Sequence, residues 1–330
     1  MVYARIAGTG QYLPVRVMTN SDLEEMMKKQ FPNNPEKWTN DEWIFPRTGI
    51  KERRISEPHE TNAFMGARAL AMAMIDAKIG REDLDMLIVA TNSNRKRFPS
   101  CAGQIAAMTD LPEACGIYDI QAGCTGFSYA LDIADCYIRS GRYSTIGIVG
   151  SDQLSSITDY ADRETCPLFG DLASAWILKA GENPGIIKSL MRGRGKDGQL
   201  ITLKDSNDKL TMQGRSVFKF ATEVLPQICL ELLKGTGYTL KNVKNISPHN
   251  ANVRIIDNAT ERLAKEPGMT LEEMKAKIYH TTEKYGNASA GSNANSFHEA
   301  RMKGVVKPGD LCMLVGFGAG LTYGANLFIL

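Results

Sequence analysis

Cys124, His249 and Asn287 are the residues of this chain whose types and settings could support nucleophilic chemistry. Cys124 lies between the strand-like run at residues 117–121 and an apolar helical pattern at residues 125–140. Free N–H groups and the dipole at a helix N-terminus are expected to lower the pKa of its thiol. Because catalytic groups meet in space rather than in sequence, a cysteine followed much later by a histidine and an asparagine is a candidate nucleophilic constellation.

The settings of the histidine and the asparagine add to this interpretation. Pro248 ends a short strand, so His249 would project from the carboxyl end of that strand, where open α/β sheets place ligands. Asn287 follows Gly286 and precedes small residues that leave room for a substrate. Each residue also has an ordinary alternative: a buried core cysteine, a structural histidine and a plain Gly-Asn turn.

The remaining cysteines and histidines lack such settings. We assign six cysteines to the core or the surface, and we expect three histidines to be solvated among polar neighbours. These residues are Cys101, Cys115, Cys136, Cys166, Cys229 and Cys312, and His59, His280 and His298.

Two short motifs could serve an active site. Residues 316–320 are Gly-rich, but they lack the GxGxxG spacing and precede a strand, which argues against a dinucleotide loop. Their backbone N–H groups could instead stabilise an oxyanion, the alternative being a plain hairpin turn. Residues 94–97 are basic, and a solvated loop is the favoured interpretation. At the mouth of an active site they would attract phosphate or an acidic partner.

The elements that would position these residues alternate between strands and helices. Residues 86–90 form a continuous apolar run, as in a strand buried on both faces, and strand 117–121 is followed by helix 125–140. This alternation predicts a parallel or mixed sheet covered by helices. Residues 181–210 are polar and Gly-rich with little periodicity, so we place a junction between two similar α/β halves there.

We predict the halves as residues 1–180, with the nucleophilic cysteine, and residues 181–330, with the histidine and the asparagine. The elements predicted for the second half are helices 216–233, 251–264 and 292–303 and strands 245–247, 278–281, 310–316 and 323–330.

Composition excludes several function classes. The chain has 330 residues, is 43% hydrophobic and carries a net charge of +2, which argues against a dominant nucleic-acid surface. No apolar run approaches the roughly 20 residues that a membrane span requires. The N-terminal residues do not read as a signal peptide. Seven scattered cysteines without a CxxC pair predict neither a disulfide framework nor a zinc or other metal site, so we expect a reducing cytoplasm.

Taken together, these motifs resemble the β-ketoacyl-acyl-carrier-protein synthase III family of the thiolase superfamily. Each stretch alone is weakly specific, and their order and spacing along nearly the whole chain carry the resemblance. The matching stretches are residues 41–44, 47–53, 98–100, 119–131, 150–152, 169–171, 217–219, 248–254, 285–289 and 306–309.

The resemblance implies a fold and a reaction. The fold would be a thiolase-type duplicated αβαβα layered fold, with two mixed five-stranded sheets and buried helices between them, working as a homodimer. Cys124 would accept an acyl group from acyl-CoA. His249 and Asn287 would bind the thioester carbonyl of malonyl-acyl carrier protein as it loses carbon dioxide, and the backbone N–H groups of Cys124 and Ala319 would form the oxyanion hole.

The resemblance also implies binding residues. Trp43 and Arg163 would sandwich the CoA adenine, and Arg47 would lie by the CoA phosphates. Acyl-CoA and the phosphopantetheine arm of acyl carrier protein would be substrates, with no permanently bound cofactor. The other implied contacts are Lys219 and Arg254 with the carrier protein or phosphates, Phe98 in the partner subunit's acyl pocket, and Leu321 in the acyl pocket.

Several departures from the family pattern concern the substrate rather than the reaction. Asn250 stands where Gln is usual and Ala319 where Gly is usual. Leu321 and Tyr323 replace the usual Phe and Trp, and the stretch at residues 316–322 is similar to plant-type polyketide synthases. The segment 28–40 is longer than usual and could reshape the CoA mouth.

Three alternatives remain. An acyltransferase of secondary metabolism could pass the acyl group to a hydroxyl or amine without decarboxylation. A non-decarboxylating thiolase or hydroxymethylglutaryl-CoA synthase would need a second cysteine or a glutamate base, and the surroundings of Cys312 look like a strand. A non-enzymatic binding module would not need the intact constellation.

Overall fold

The computed structural model describes residues 2–204 and 208–330, so residues 205–207 of the predicted junction lie outside the described residues. The strands of the described part are β1 Tyr3–Tyr12, β2 Val17–Thr19, β3 Glu52–Arg54, β4 Met86–Ala90, β5 Gly116–Ile120, β6 Thr145–Gln153, β7 Asp171–Gly181, β8 Ile186–Gly193, β9 Ile201–Thr202, β10 Thr211–Met212, β11 Val243–Pro248, β12 Leu311–Gly318 and β13 Thr322–Ile329. Its helices are α1 Asn20–Gln30, α2 Asp41–Thr48, α3 Asn62–Ala77, α4 Cys101–Thr109, α5 Gly126–Arg139, α6 Gly214–Leu233, α7 Val253–Leu263, α8 Leu271–Lys277, α9 Thr282–Tyr285 and α10 Ser292–Met302.

Two mixed sheets organise the chain. The first has the order β1-β7-β6-β4-β5, with β4 parallel to both of its neighbours and the remaining pairs antiparallel. The second has the order β11-β12-β13-β8, with β11 parallel to β12 and the other pairs antiparallel. The two sheets therefore repeat one pattern, parallel strands followed by two antiparallel ones, which confirms the predicted mixed α/β architecture.

The helices form three layers around the sheets. α5 and α10 lie between the sheets, where Phe127 and Phe297 pack with Trp176 of β7 and Phe328 of β13 in one apolar cluster. α3 covers the outer face of the first sheet, and α6 and α7 cover the outer face of the second. The predicted αβαβα layering is thereby confirmed.

The second sheet differs in detail from the prediction. It has four strands in the described part of the chain rather than five, because the expected strand at residues 278–281 is reduced to one bridge between Ile246 and Ile278. The predicted junction also contains β8, an edge strand of the second sheet. Most of its residues are half-buried, so its sequence shows no clear alternation of apolar and polar residues and did not indicate a strand. The strands of the first sheet end at Gly181 and those of the second begin at Ile186. The division at residue 180 stays a prediction, since α10 packs on strands of both sheets.

Two histidine predictions were wrong. His280 is only partly exposed, its Nδ1 is buried without a hydrogen-bond partner, and burial lowers the pKa of its imidazole. His298 is buried in α10, with Nδ1 lying 2.8 Å from Oγ1 of Thr9. Burial lowers the pKa of this imidazole, so His298 is a neutral structural residue that ties α10 to β1. The described helices include none with the length and apolar character to cross a bilayer.

Candidate active site

One cavity of about 920 Å³ brings the three predicted catalytic residues together. Cys124 reaches it from the turn before α5, His249 from the end of β11, and Asn287 from the segment between α9 and α10. Strands β5 and β11 each end at this edge of their sheet, and so deliver residues from both halves to one place. Ala319, in the turn between β12 and β13, also lines the cavity.

Two glycines allow the nucleophile turn to contact the Gly-rich turn. Gly123 has φ +57°, and a Cβ there would lie 2.7 Å from the backbone nitrogen of Ala319. A Cβ on Gly318 would lie 2.5 Å from the backbone nitrogen of Cys124. The backbone N–H groups of Cys124 and Ala319 consequently both lie at the Cys124 sulfur, where the predicted oxyanion hole requires them.

We expect Gly318→Ala to lower the rate of Cys124 acylation by about 100-fold, because a displacement of about 1 Å at a reacting group can cost that much. The new methyl group would meet the backbone of the nucleophile turn rather than a side chain that could move aside. Gly195→Ala is the matched control, since a Cβ there meets nothing within 4 Å. Acylation rates of the two variants, with thermal unfolding of each, provide the measurement. Equal rates would show that the close contact is dispensable.

The thiol of Cys124 does not have the lowered pKa expected from its place before a helix. Burial raises the pKa to about 12, although the Ser289 hydroxyl and the two backbone N–H groups oppose the increase. Desolvation of the anion therefore outweighs the hydrogen bonds that stabilise it. The resting residue is a neutral thiol, which must lose its proton as it attacks.

His249 is held as a neutral imidazole. Its backbone N–H donates to the carbonyl of Val315 at 2.8 Å, and its ring packs edge-on against Phe317 at 5.4 Å. Nδ1 is buried without a hydrogen-bond partner, so Nε2 is the nitrogen left to face the cavity. Burial lowers the pKa of His249 to about 3. The residue can thus donate a hydrogen bond near neutral pH but carries no charge.

We expect the rate of malonyl-thioester decarboxylation to show no histidine titration between about pH 5 and pH 8. A group with a folded-state pKa of about 3 stays neutral throughout that range. The same pKa shift makes the free energy of unfolding depend on pH. Below about pH 6.5 the unfolded imidazole binds a proton that the folded one does not, so stability is highest above that pH and decreases as the pH falls toward 3. A pH series of carbon dioxide release checks the expectation. A rate that falls as pH rises through about 6.5 would instead require the imidazolium form.

Asn287 is fixed by its backbone and by its side-chain oxygen. Its N–H donates to the carbonyl of Leu168 at 2.8 Å, and its carbonyl accepts from the N–H of Gly170 at 3.0 Å. Oδ1 accepts from the backbone N–H of Ser289 at 2.9 Å. Because that contact occupies the oxygen, Nδ2 is the amide atom available to donate into the cavity.

Trp43 and Arg47, two of the three residues predicted to hold a nucleotide, line the cavity, and the third, Arg163, packs on the ring of Trp43. Arg47 and Arg163 place their guanidinium carbons 4.8 Å and 4.7 Å from the ring centroid of Trp43. An aromatic ring needs about 3.5 Å on either side, so Arg163 must withdraw by about 2 Å before an adenine can enter. Arg163 also donates to the carbonyl of Glu36 at 3.2 Å, which ties the long segment 28–40 to these residues.

Of the two residues predicted to contact phosphate or the carrier protein, one lines the cavity and the other does not. Arg254, in the first turn of α7, lines the cavity, whereas Lys219 on α6 does not. Sequence reasoning missed Arg215, which lines the cavity one turn before Lys219 on the same helix. The sequence signal that could have identified Arg215 is its spacing of four residues from Lys219, which places both cations on one face of the helix.

The two predicted acyl-pocket residues lie elsewhere in this chain. Phe98 is 90% exposed and does not line the cavity, so its predicted contact with a partner subunit stays a prediction. Leu321 is fully buried in the cluster between the second sheet and α6, and the structure does not bring it to the cavity. The cavity wall instead includes the apolar side chains of Leu154, Ile157, Leu168, Phe169, Leu203, Leu210 and Met212.

Among the described residues that line the cavity, Cys124 is the one cysteine, so the second cysteine of the thiolase alternative is not found there. Cys312 is buried in β12 and does not line the cavity. Glu164 is the one acidic residue among the described lining residues, and it belongs to the segment that also carries Arg163. Among the described residues, no group of three or more His, Cys, Asp or Glu side chains is arranged to hold a metal ion.

Comparisons with known proteins agree with this geometry. The family described as 3-oxoacyl-[acyl-carrier-protein] synthase III matches residues 118–195, and its C-terminal part matches residues 233–329. The β-ketoacyl-[acyl-carrier-protein] synthase III of Yersinia enterocolitica is 41% identical over 337 aligned residues, which cover 99% of each chain.

Solved structures show the same relationship. The crystal structure of 3-oxoacyl-[acyl-carrier-protein] synthase III from Aquifex aeolicus has a TM-score of 0.90 and 39% identity, covering 99% of this chain and 100% of that one. The priming β-ketosynthase of the R1128 polyketide pathway has a TM-score of 0.89 and 29% identity, covering 99% of this chain and 96% of that one. The chain therefore belongs to the β-ketoacyl-[acyl-carrier-protein] synthase III family of the thiolase superfamily.

Proposed function

We propose that this protein is an acyltransferase that starts an acyl chain by decarboxylative Claisen condensation of an acyl-CoA primer with malonyl-acyl carrier protein. The observation that carries the proposal is the convergence of Cys124, His249 and Asn287 on one cavity, beside the N–H groups of Cys124 and Ala319. The relatives are named for synthesis on acyl carrier protein, and the R1128 relative for a polyketide pathway.

The residues suit each step of this reaction. The Cys124 sulfur bonds to the acyl carbon, and CoA leaves with the thiol proton. The malonyl carboxylate then leaves as carbon dioxide, and its bonding electrons form an enolate. Nε2 of His249 and Nδ2 of Asn287 donate to the enolate oxygen. The enolate carbon attacks the acyl carbonyl, and the N–H groups of Cys124 and Ala319 stabilise the resulting oxyanion. The carbon–sulfur bond then breaks, its electrons return to the sulfur, and the thiolate takes up a proton from solvent to restore the thiol.

Charge at the mouth supports phosphate-bearing substrates. Arg47, Arg215 and Arg254 all line the cavity, and guanidinium groups suit phosphate because they donate in pairs. CoA and the phosphopantetheine arm of a carrier protein share that chemistry. Each step uses groups of the protein and its substrates, so the proposal requires no resident cofactor.

We propose that the protein works as a homodimer in the cytoplasm. β5 is an edge strand of the first sheet, and Ile117 on β5 is 42% exposed. Met108 on α4 is 55% exposed, and Phe98, in the loop before α4, is 90% exposed. Exposed apolar side chains therefore lie on β5, on α4 and on the loop that precedes α4. A second copy placed there would cover apolar surface and an unpaired strand edge. All seven cysteines are free, which suits a reducing compartment.

Carbon dioxide release tests the reaction. With acyl-CoA and carboxyl-labelled malonyl-acyl carrier protein, we expect one labelled carbon dioxide per β-ketoacyl product. If the acyl group moved to a hydroxyl or amine acceptor without carbon dioxide release, the chain would perform the alternative acyl transfer. Absence of both product classes would contradict an acyltransferase function.

A further inference from the structure

Ser289 has a strained backbone beside the nucleophile. Its φ is +52°, in the left-handed region that non-glycine residues rarely adopt. Lys78 and Asp110 are the other such residues in the described chain, and both end helices, where this conformation is ordinary. Ser289 ends no helix, so its strain needs another explanation. Its hydroxyl donates to the sulfur of Cys124 at 3.6 Å.

Asn92 determines the direction in which the Ser289 hydroxyl can donate. Nδ2 of Asn92 has two protons and donates them over its two shortest contacts, to Oγ of Ser289 at 2.9 Å and to the Gly123 carbonyl at 3.0 Å, whereas Oδ2 of Asp152 lies farther away at 3.3 Å. The carbonyl and the carboxylate only accept, which fixes the orientation of the amide. Because the Asn92 amide occupies a lone pair of Ser289 Oγ, the hydroxyl proton is free for another acceptor, such as the Cys124 sulfur.

Asp152 anchors this chain of hydrogen bonds. It is fully buried, and its carboxylate accepts from the backbone N–H groups of Asn92 at 2.7 Å, Ser93 at 3.1 Å and Ala290 at 3.2 Å. These bonds hold the segments that carry Asn92 and Ser289 against each other. The carboxylate also lies beside the Ser289 hydroxyl and is the acceptor that competes with the sulfur.

We propose that Ser289 is a further catalytic residue, which stabilises the developing Cys124 thiolate by donating its hydroxyl proton to the sulfur, and that Asn92 is a positioning residue that orients Ser289. The inference rests on the proposed function for its role in acylation. As the thiol proton leaves, charge grows on the sulfur and the hydroxyl bond strengthens, because hydrogen bonds to charged acceptors are the stronger ones. Ser289 keeps its own proton throughout.

Two substitutions separate the hydroxyl from the backbone strain. Ser289→Ala removes the hydroxyl and keeps a Cβ at positive φ, whereas Ser289→Gly removes the hydroxyl and relieves the strain. We expect both variants to shift the pH profile of Cys124 alkylation by iodoacetamide to higher pH. The rate near pH 8 should fall about tenfold, as for loss of one charge-assisted hydrogen bond. Cys136 is also exposed, so the Cys124 peptide is followed by mass spectrometry.

Alkylation needs neither an acyl donor nor a malonyl acceptor, so it reports on Ser289 even if the proposed condensation is wrong. A wild-type alkylation profile in Ser289→Gly would overturn the catalytic role. Carbon dioxide release from malonyl thioester detects a structural role of Ser289. The backbone N–H of Ser289 donates to Oδ1 of Asn287, so a displaced segment would also move Asn287 and slow decarboxylation. We expect alkylation to fall much more than carbon dioxide release, and equal losses would mean that the segment has moved.

Asn92→Leu tests the positioning role. Leucine has a similar volume but no donor, so the Ser289 hydroxyl would be free to turn toward Asp152, the competing acceptor. We expect a shift of the alkylation profile in the same direction as in the Ser289 variants, and smaller. An unchanged profile in Asn92→Leu, together with a shifted one in Ser289→Gly, would remove Asn92 from the proposal.

Discussion

Replacement of Cys124 by alanine is expected to abolish transfer of the acyl group from acyl-CoA to the protein, by at least about 1000-fold. Cys124 is the one cysteine among the described residues that line the cavity, and Cys312 is buried in a strand away from it. Decarboxylation should persist within about tenfold, because the proposed mechanism assigns stabilisation of the enolate to His249 and Asn287 rather than to the sulfur. Labelled acyl-CoA measures the first step, and carbon dioxide release from malonyl thioester measures the second.

Two controls make the result specific. Cys136→Ala removes an exposed thiol of helix α5 and should leave acylation at the wild-type rate. Cys124→Ser keeps a nucleophile, but a hydroxyl gives up its proton far less readily than a thiol, so we expect acylation close to that of the alanine variant. Labelled acyl groups on any other residue of Cys124→Ala would contradict the assignment of the nucleophile.

The mixed α/β fold and the meeting of Cys124, His249 and Asn287 at one cavity could be predicted from the sequence, because strong local patterns flank these residues. The continuous apolar run at residues 86–90 is buried throughout as β4, and the helical face after Cys124 packs between the sheets as α5. His249 follows the last residue of β11 and lines the cavity at the end of that strand. A single sequence can therefore predict that a residue lies at the end of a strand when a strong apolar pattern precedes that residue.

Properties that depend on contacts between distant residues could not be predicted. The position of Cys124 before a helix suggested a lowered pKa, but burial by both halves of the chain raises it instead. Leu321 follows the Gly-rich turn, yet it packs into the core against α6 rather than into the cavity. Asn92 and Ser289 are 197 residues apart, and no local pattern marks either as a neighbour of the sulfur.

His249→Ala is expected to lower carbon dioxide release from malonyl thioester by about 100- to 1000-fold, as for loss of one oxyanion donor. Acylation of Cys124 should fall by less than about tenfold, because the backbone N–H groups of Cys124 and Ala319 lie at the sulfur, where we propose that they, rather than the imidazole, receive the acyl oxygen. The profile is the reverse of that expected for Cys124→Ala. Separate assays of acylation and decarboxylation on both variants test the division of labour.

His249→Gln gives the sharper comparison, since its amide Nε2 reaches about as far as the imidazole Nε2 and also donates. We expect Gln at this position to recover part of the decarboxylation rate that Ala loses. Asn287→Asp provides the opposite test, because it keeps the oxygen that accepts from the Ser289 N–H but replaces the donor with a negative charge beside the enolate. The rate of carbon dioxide release should therefore fall further in Asn287→Asp than in Asn287→Ala. If Asp and Ala at position 287 were equally slow, Asn287 would act by holding its segment in place rather than by donating to the enolate.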